Sequence, residues 1–168
     1  MAPVTPEVAL AITNQKARYA RYADTKQWDK MADAVLLKDV NLRYCDADGR
    51  PLMVGGRALV FDSAETFAQL YKRMFAGVDS QHNISPGDFE PGEREDEVRA
   101  VFGIEDQVTS KMLGSWAELR GGGYYHETWK LVDGQWYIKD LELRRTYQNA
   151  TVLVQILLAA MALFAVMP

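Results

Sequence analysis

Gly121–Thr146 reads Gly-Gly-Gly-Tyr-Tyr-His-Glu-Thr-Trp-Lys-Leu-Val-Asp-Gly-Gln-Trp-Tyr-Ile-Lys-Asp-Leu-Glu-Leu-Arg-Arg-Thr, and the Asp133-Gly134 pair at its centre decides how the rest is read. Asp-Gly between two runs of aromatic and β-branched residues is a strong hairpin signal, because both central positions of a type I′ turn need positive φ. The stretch therefore predicts two long antiparallel strands, Tyr124 to Val132 and Gln135 to Thr146. One phase of the first carries Tyr124, His126, Thr128 and Lys130; the other carries Tyr125, Glu127, Trp129 and Leu131. Aromatic and polar groups occur in both phases, which suits a curved sheet closing over a semi-polar cavity better than a flat surface hairpin. Gly121 to Gly123 mark a bulge or strand bend; they lack the lysine and following helix of a phosphate loop.

Working outward, Thr5-Pro6 has the form of an N-cap and first helical residue. Val8, Ile12, Gln15, Tyr19 and Tyr22 then recur at helical spacing to about Ala23. Asp24 to Lys26 form a corner before a second, short helix with Trp28, Met31, Ala32 and Val35 on its apolar face. Val40 to Tyr44 is strand-like, Asp46 to Pro51 a turn, and Asp62 the expected cap of a third helix that buries Phe67, Leu70, Tyr71, Met74 and Phe75. His82 to Ser85 reads as a short strand, Pro86 to Arg94 as an exposed loop, and Val98 to Ile104 as a strand that Ser115 to Leu119 can join. Helices followed by antiparallel strands give an α+β class: a strongly curved sheet wrapped on about three N-terminal helices. The expected division is an arm over 1–7, one domain over 8–148 and an apolar tail over 149–168.

The chain has 168 residues, 48% hydrophobic and 25% charged, enough for one full core. A formal charge of −4 and no basic run beyond Arg144-Arg145 argue against a nucleic-acid surface. The single cysteine, Cys45, has no disulfide partner, and its bland role is packing. The N-terminus shows no signal-peptide pattern, so the body is expected in the cytoplasm. Thr151 to Met167 contains no charge. It is slightly short against the ~20 residues of a bilayer span. Membrane anchoring through 151–167 and packing of an apolar C-terminal helix on the domain are the two readings of it.

Arg18 to Asp29, the Leu-Arg-Tyr ending at Tyr44, Gln-His-Asn around His82, and the hairpin from Gly123 to Ile138 resemble the SnoaL-like, scytalone dehydratase-like branch of the nuclear transport factor 2-like superfamily. The resemblance spans Val8 to Thr146 and implies a cone-shaped fold with a cavity inside. It implies an acid/base pair of Asp24 and His82, with Tyr44 polarising a substrate carbonyl. Tyr22, Trp28, Phe67, Tyr71, Phe102, Tyr125 and His126 are expected to line the substrate site. Two features of the dehydratases are replaced, a second histidine near Phe102 and a Ser/Asn pair falling on Gly123 and Tyr125. A cofactor-free lyase or isomerase acting on a hydrophobic polyketide-, steroid- or terpenoid-like molecule follows, with a homodimer through the outer sheet face.

The residue chemistry supports this independently. A carboxylate can hold a neutral imidazole in one tautomer, and a tyrosine hydroxyl in a dry cavity can stabilise an enolate oxygen. Glu127 and Glu142 are alternative acids if the other hairpin phase faces inward, and Tyr124 and Tyr125 are alternative donors. Asp24 has a plain role too, as cap of the second helix. With two histidines in all, His82 and His126, no cluster has metal-ligand spacing. Trp28, Trp129 and Trp136 read as core. The competing function is a non-catalytic binding or dimerisation module of the same fold.

Overall fold

A computed structural model describes residues 3–157. Helix α1, Pro6–Asp24, starts as expected, with Thr5 accepting a hydrogen bond from the Val8 amide. It ends in a Schellman turn: the Gln27 amide donates to the Tyr22 carbonyl at 2.8 Å and the Lys26 amide to the Ala23 carbonyl at 3.2 Å. Lys26, at the position where glycine is favoured, has φ 59°. That backbone costs a residue with a Cβ roughly 1–2 kcal/mol. Helix α2, Trp28–Ala34, follows directly, then strand β1, Leu36–Cys45.

Short strands β2, Met53–Val54, and β3, Arg57–Ala58, pair with each other, and β4, Val60–Phe61, pairs with β1. Helix α3, Ala64–Met74, is capped by Ser63 rather than Asp62. Ser63 has extended backbone, and its hydroxyl stands three residues before the Thr66 amide that it accepts from. A capping oxygen at position 62 would be one residue out of reach of that donor.

Four long strands complete the chain: β5, Val78–Pro91; β6, Glu97–Ser110; β7, Gly114–Val132; and β8, Gln135–Ala150. The main sheet has the order β4-β1-β8-β7-β6-β5, curved, with only β1 and β8 parallel. The expected loop at Pro86 to Arg94 is corrected, since β5 continues to Pro91. A register shift between Ile84 and Gly87 takes up Pro86, and as an edge strand β5 tolerates a residue without an amide proton. Phe89 then returns inward against Phe102, ring centres 5.7 Å apart.

The β7–β8 hairpin turns on Asp133 and Gly134, at φ 49° and 80°. The register shifts again between Gly122 and Gly123, at the expected bulge. A Cβ on Gly123 would stand 2.1 Å from the Arg144 carbonyl oxygen, so no other residue lets β8 approach this closely. Trp28, Trp129 and Trp136 are all buried in one core with Phe61, Phe67 and Leu141.

Residues 152–157 are helical, with Val152, Ile156 and Leu157 exposed. The remainder of the apolar run, 158–167, lies outside the described residues. Among the described residues, no helix is long and apolar enough to cross a membrane.

Candidate functional site

Between the helices and the concave sheet face lies a cavity of about 410 Å³. Its lining is mostly apolar, including Trp28, Met74, Phe75, Val108 and Leu143, and Val154 and Leu157 line it from the C-terminal segment. The polar groups on its wall are Tyr19, Tyr44, Tyr71, Tyr125, His82, Asp106, Ser110, Arg145 and Gln148.

Asp24, at the end of α1, and His82, on β5, are joined directly: His82 Nδ1 lies 2.6 Å from Asp24 Oδ1, and the His82 amide donates to Oδ2 at 3.0 Å. Ser80, two residues earlier on the same face of β5, donates its hydroxyl to Oδ1 at 3.1 Å. Burial works to raise the Asp24 pKa, but the imidazole, the amide and the Ser80 hydroxyl outweigh it and hold the carboxyl below its ordinary value. An ionised Asp24 makes Nδ1 the protonated nitrogen and leaves Nε2 free for a ligand. Asp24 itself stands behind His82 rather than on the cavity wall.

The hydroxyls of Tyr19 and Tyr44 are hydrogen-bonded at 2.9 Å. Burial raises the pKa of all four cavity tyrosines, so they stay protonated donors. Across β6, Asp106 is the register partner of His82 and binds Arg145 of β8 through both carboxylate oxygens, at 2.8 and 2.6 Å. The guanidinium is therefore neutralised where it meets the cavity.

Of the expected lining residues, Trp28, Tyr71 and Tyr125 are on the wall, beside Tyr44 and His82. Four are not. Phe67 is fully buried behind the wall, its ring 4.4 Å from that of Tyr71. Phe102 faces Phe89 and the Lys16 ammonium in the core. Tyr22 is half-buried on another side of α1, beside the Arg21 guanidinium. His126 is exposed, because strand alternation that turns Tyr125 and Glu127 inward turns His126 and Tyr124 outward.

The alternative acids also lie off the wall. Glu142 pairs with Arg144 next to solvent. Glu127 is buried against Lys16 and accepts the Trp129 indole N–H at 2.9 Å. The Lys16 ammonium sits 3.4 Å from the centre of the Tyr125 ring, so the ion pair underlies the tyrosine floor. Tyr19, Asp106 and Arg145 were not singled out from sequence. Arg145 was reachable by counting inward positions across the hairpin from Tyr125 to Leu143 and on to Arg145, once the phase of Tyr125 is known.

Residues 6–142 match the SnoaL-like domain. The chain is 30% identical over 147 residues to "Probable cyclase FGR4" of Gibberella zeae, covering 86% of this chain and 95% of that protein. A scytalone dehydratase-like protein of Novosphingobium aromaticivorans superposes with a TM-score of 0.67 at 17% identity, covering 83% of this chain and 84% of that one. A type 2 hexachlorocyclohexane dehydrochlorinase does so with a TM-score of 0.66 at 13% identity, covering 85% and 88%. Both structural likenesses are likenesses of fold.

Proposed function

Because the chain belongs to the SnoaL-like domain family, we propose that it is a cofactor-independent lyase or isomerase, of dehydratase or cyclase type. Its substrate is a hydrophobic, carbonyl-bearing small molecule of polyketide, steroid or terpenoid kind. The carrying observation is the Asp24–His82 pair, joined at 2.6 Å, with His82 on the wall of a largely apolar cavity. The name of the sequence relative, a probable cyclase, supports the same class of chemistry.

In this reading His82 Nε2 removes a proton from the carbon beside the carbonyl, and Asp24 stabilises the imidazolium that forms. Negative charge developing on the carbonyl oxygen is met by the Tyr44 hydroxyl, with Tyr19 donating to Tyr44 behind it, and burial keeps both protonated. The imidazolium then returns its proton: to a leaving hydroxyl in a dehydration, to a different carbon in an isomerisation, or, in a ring closure where the enolate carbon attacks a second carbonyl, to the alkoxide oxygen that attack creates.

The test begins with native purification from the host and mass spectrometry of the co-purified molecule, followed by turnover of that molecule or its precursor. Asp24→Asn and His82→Ala are each expected to stay folded and lose about 10²- to 10⁴-fold in kcat. Undiminished turnover in both variants overturns the assignment. Tight binding with no turnover by the unaltered protein would make the domain a binding module.

A further inference from the structure

We propose that Lys26 is a positioning residue for the Asp24–His82 pair, acting through the hydroxyl of Ser80; the proposal rests on the acid/base reading above. The backbone first draws attention to it. Lys26 occupies the left-handed position of the Schellman turn with φ 59°, where glycine closes the helix without strain. Neither hydrogen bond of the turn uses a side chain, so the turn does not require a lysine.

The side chain is used elsewhere. Its ammonium donates to Ser80 Oγ at 2.5 Å and lies 5.1 Å from the centre of the Phe75 ring. An ammonium has donors only, and a serine hydroxyl has one proton. With Lys26 on its lone pair, Ser80 directs that proton to Asp24 Oδ1, 3.1 Å away. Oδ1 thus receives both Ser80 and His82 Nδ1, and Oδ2 receives the His82 amide. Without the ammonium the Ser80 hydroxyl is free to turn and to accept a hydrogen bond, loosening the orientation of the carboxylate and of the ring it holds. The helix corner and β5 are therefore tied twice, Asp24 to His82 and Lys26 to Ser80, and strain at Lys26 is held where it serves the site.

Other charges face this cluster. Asp79 and Lys111 stand near the ammonium, and Asp106, with Arg145 on it, is the register partner of His82. Burial lowers the Lys26 pKa, while Asp24 and Asp79 raise it and Lys111 lowers it.

The experiment is nuclear magnetic resonance of the full-length protein with labelled histidine and aspartate. Two histidines simplify it, since His126→Gln assigns the His82 ring. Lys26→Gly, which suits the backbone, Lys26→Met, Lys26→Arg and Ser80→Ala are compared. In Lys26→Gly, Lys26→Met and Ser80→Ala the His82 Nδ1–H should exchange with solvent about tenfold faster, and the Asp24 carboxyl should titrate at higher pH. Lys26→Arg should keep both signals. With substrate in hand, kcat should fall about 3- to 10-fold with KM unchanged. Lys26→Gly and Lys26→Met variants with both signals as in the unaltered protein overturn the proposal. The signals need no turnover, so this result is separate from the activity of the Asp24 and His82 variants.

Discussion

The Tyr19 and Tyr44 hydroxyls, from α1 and β1, meet 2.9 Å apart on the cavity wall, within one buried cluster that also holds Tyr71 and Tyr125. Each is held as a neutral donor by burial. In the proposed mechanism Tyr44→Phe removes the donor to the substrate oxygen, and it is expected to lower kcat by about 10²-fold with little change in KM. Tyr19→Phe leaves Tyr44 in place and should cost less. Kinetics equal to the unaltered protein in both variants would remove the tyrosines from the proposed mechanism.

Asp24 makes a prediction about stability and pH. Its folded pKa lies below the ordinary carboxyl value, so its contribution is present above that value and is lost as pH falls through the folded one. The difference in Tm between the unaltered protein and Asp24→Asn should be constant near neutrality. It should shrink below about pH 4. Thermal melts at a series of pH values check this; a gap that widens in acid contradicts it.

Lys16 and Glu127 form an ion pair with both side chains almost wholly out of solvent. Burial pushes each toward its neutral form, Lys16 down and Glu127 up, and each partner opposes the shift of the other. Lys16→Met strands a buried carboxylate and should destabilise by about 3–5 kcal/mol in urea unfolding. Adding Glu127→Gln should recover much of that loss. A double variant as unstable as the single one would show that lysine packing, not charge, is what matters.

The segment after β8 predicts a change on truncation. Thr151 is fixed to β7 by its amide, which donates to the Glu118 carbonyl at 2.9 Å, and by its hydroxyl, which accepts from the Glu118 amide. Val154 and Leu157 then line the cavity. A chain ending at Asn149 should bind an apolar fluorescent dye more strongly, as the cavity loses part of its wall. Light scattering on the same chain tests for a homodimer through the outer sheet face, where Tyr124 and Tyr147 are exposed. Unchanged dye binding would mean the segment does not cover the cavity, and a monomer at high concentration would count against the dimer.

Local chemistry was legible in the sequence. Thr5-Pro6 and Asp133-Gly134 have backbone requirements that few residues meet, and the structure places a helix start and a turn there. The Asp24–His82 contact was legible only through resemblance, since it joins residues 58 apart. Arg145 needs only the phase of the hairpin, which both phases of β7 obscure by carrying aromatics, while Asp106 was hidden because finding it takes the registers of three strands together. Two bulges in the β7–β8 pairing, at Thr128/Trp129 and Gly122/Gly123, also break simple counting by twos. The second puts Gln148, not Tyr147, on the cavity wall. Phe67 and Tyr71 share the buried stripe of α3, but only Tyr71 reaches the cavity; periodicity gives the face of a helix, not the depth of each side chain.

The parallel pairing of β1 with β8 bears on the order in which the molecule can assemble. The last long strand of the chain lies inside the sheet, between β1 and β7, so β1 has only the two-residue β4 beside it until β8 arrives. Tyr44 comes from β1, His82 from β5, Tyr125 from β7 and Arg145 from β8, and no earlier portion of the chain contains a finished cavity. On the ribosome, the helices and the β5–β6–β7 meander can form as they emerge, while the central slot stays open until residue 150 has left the exit tunnel. Contacts of this sequence separation close slowly. An unfilled slot flanked by unpaired strand edges is where a nascent chain would recruit a chaperone or a neighbouring chain.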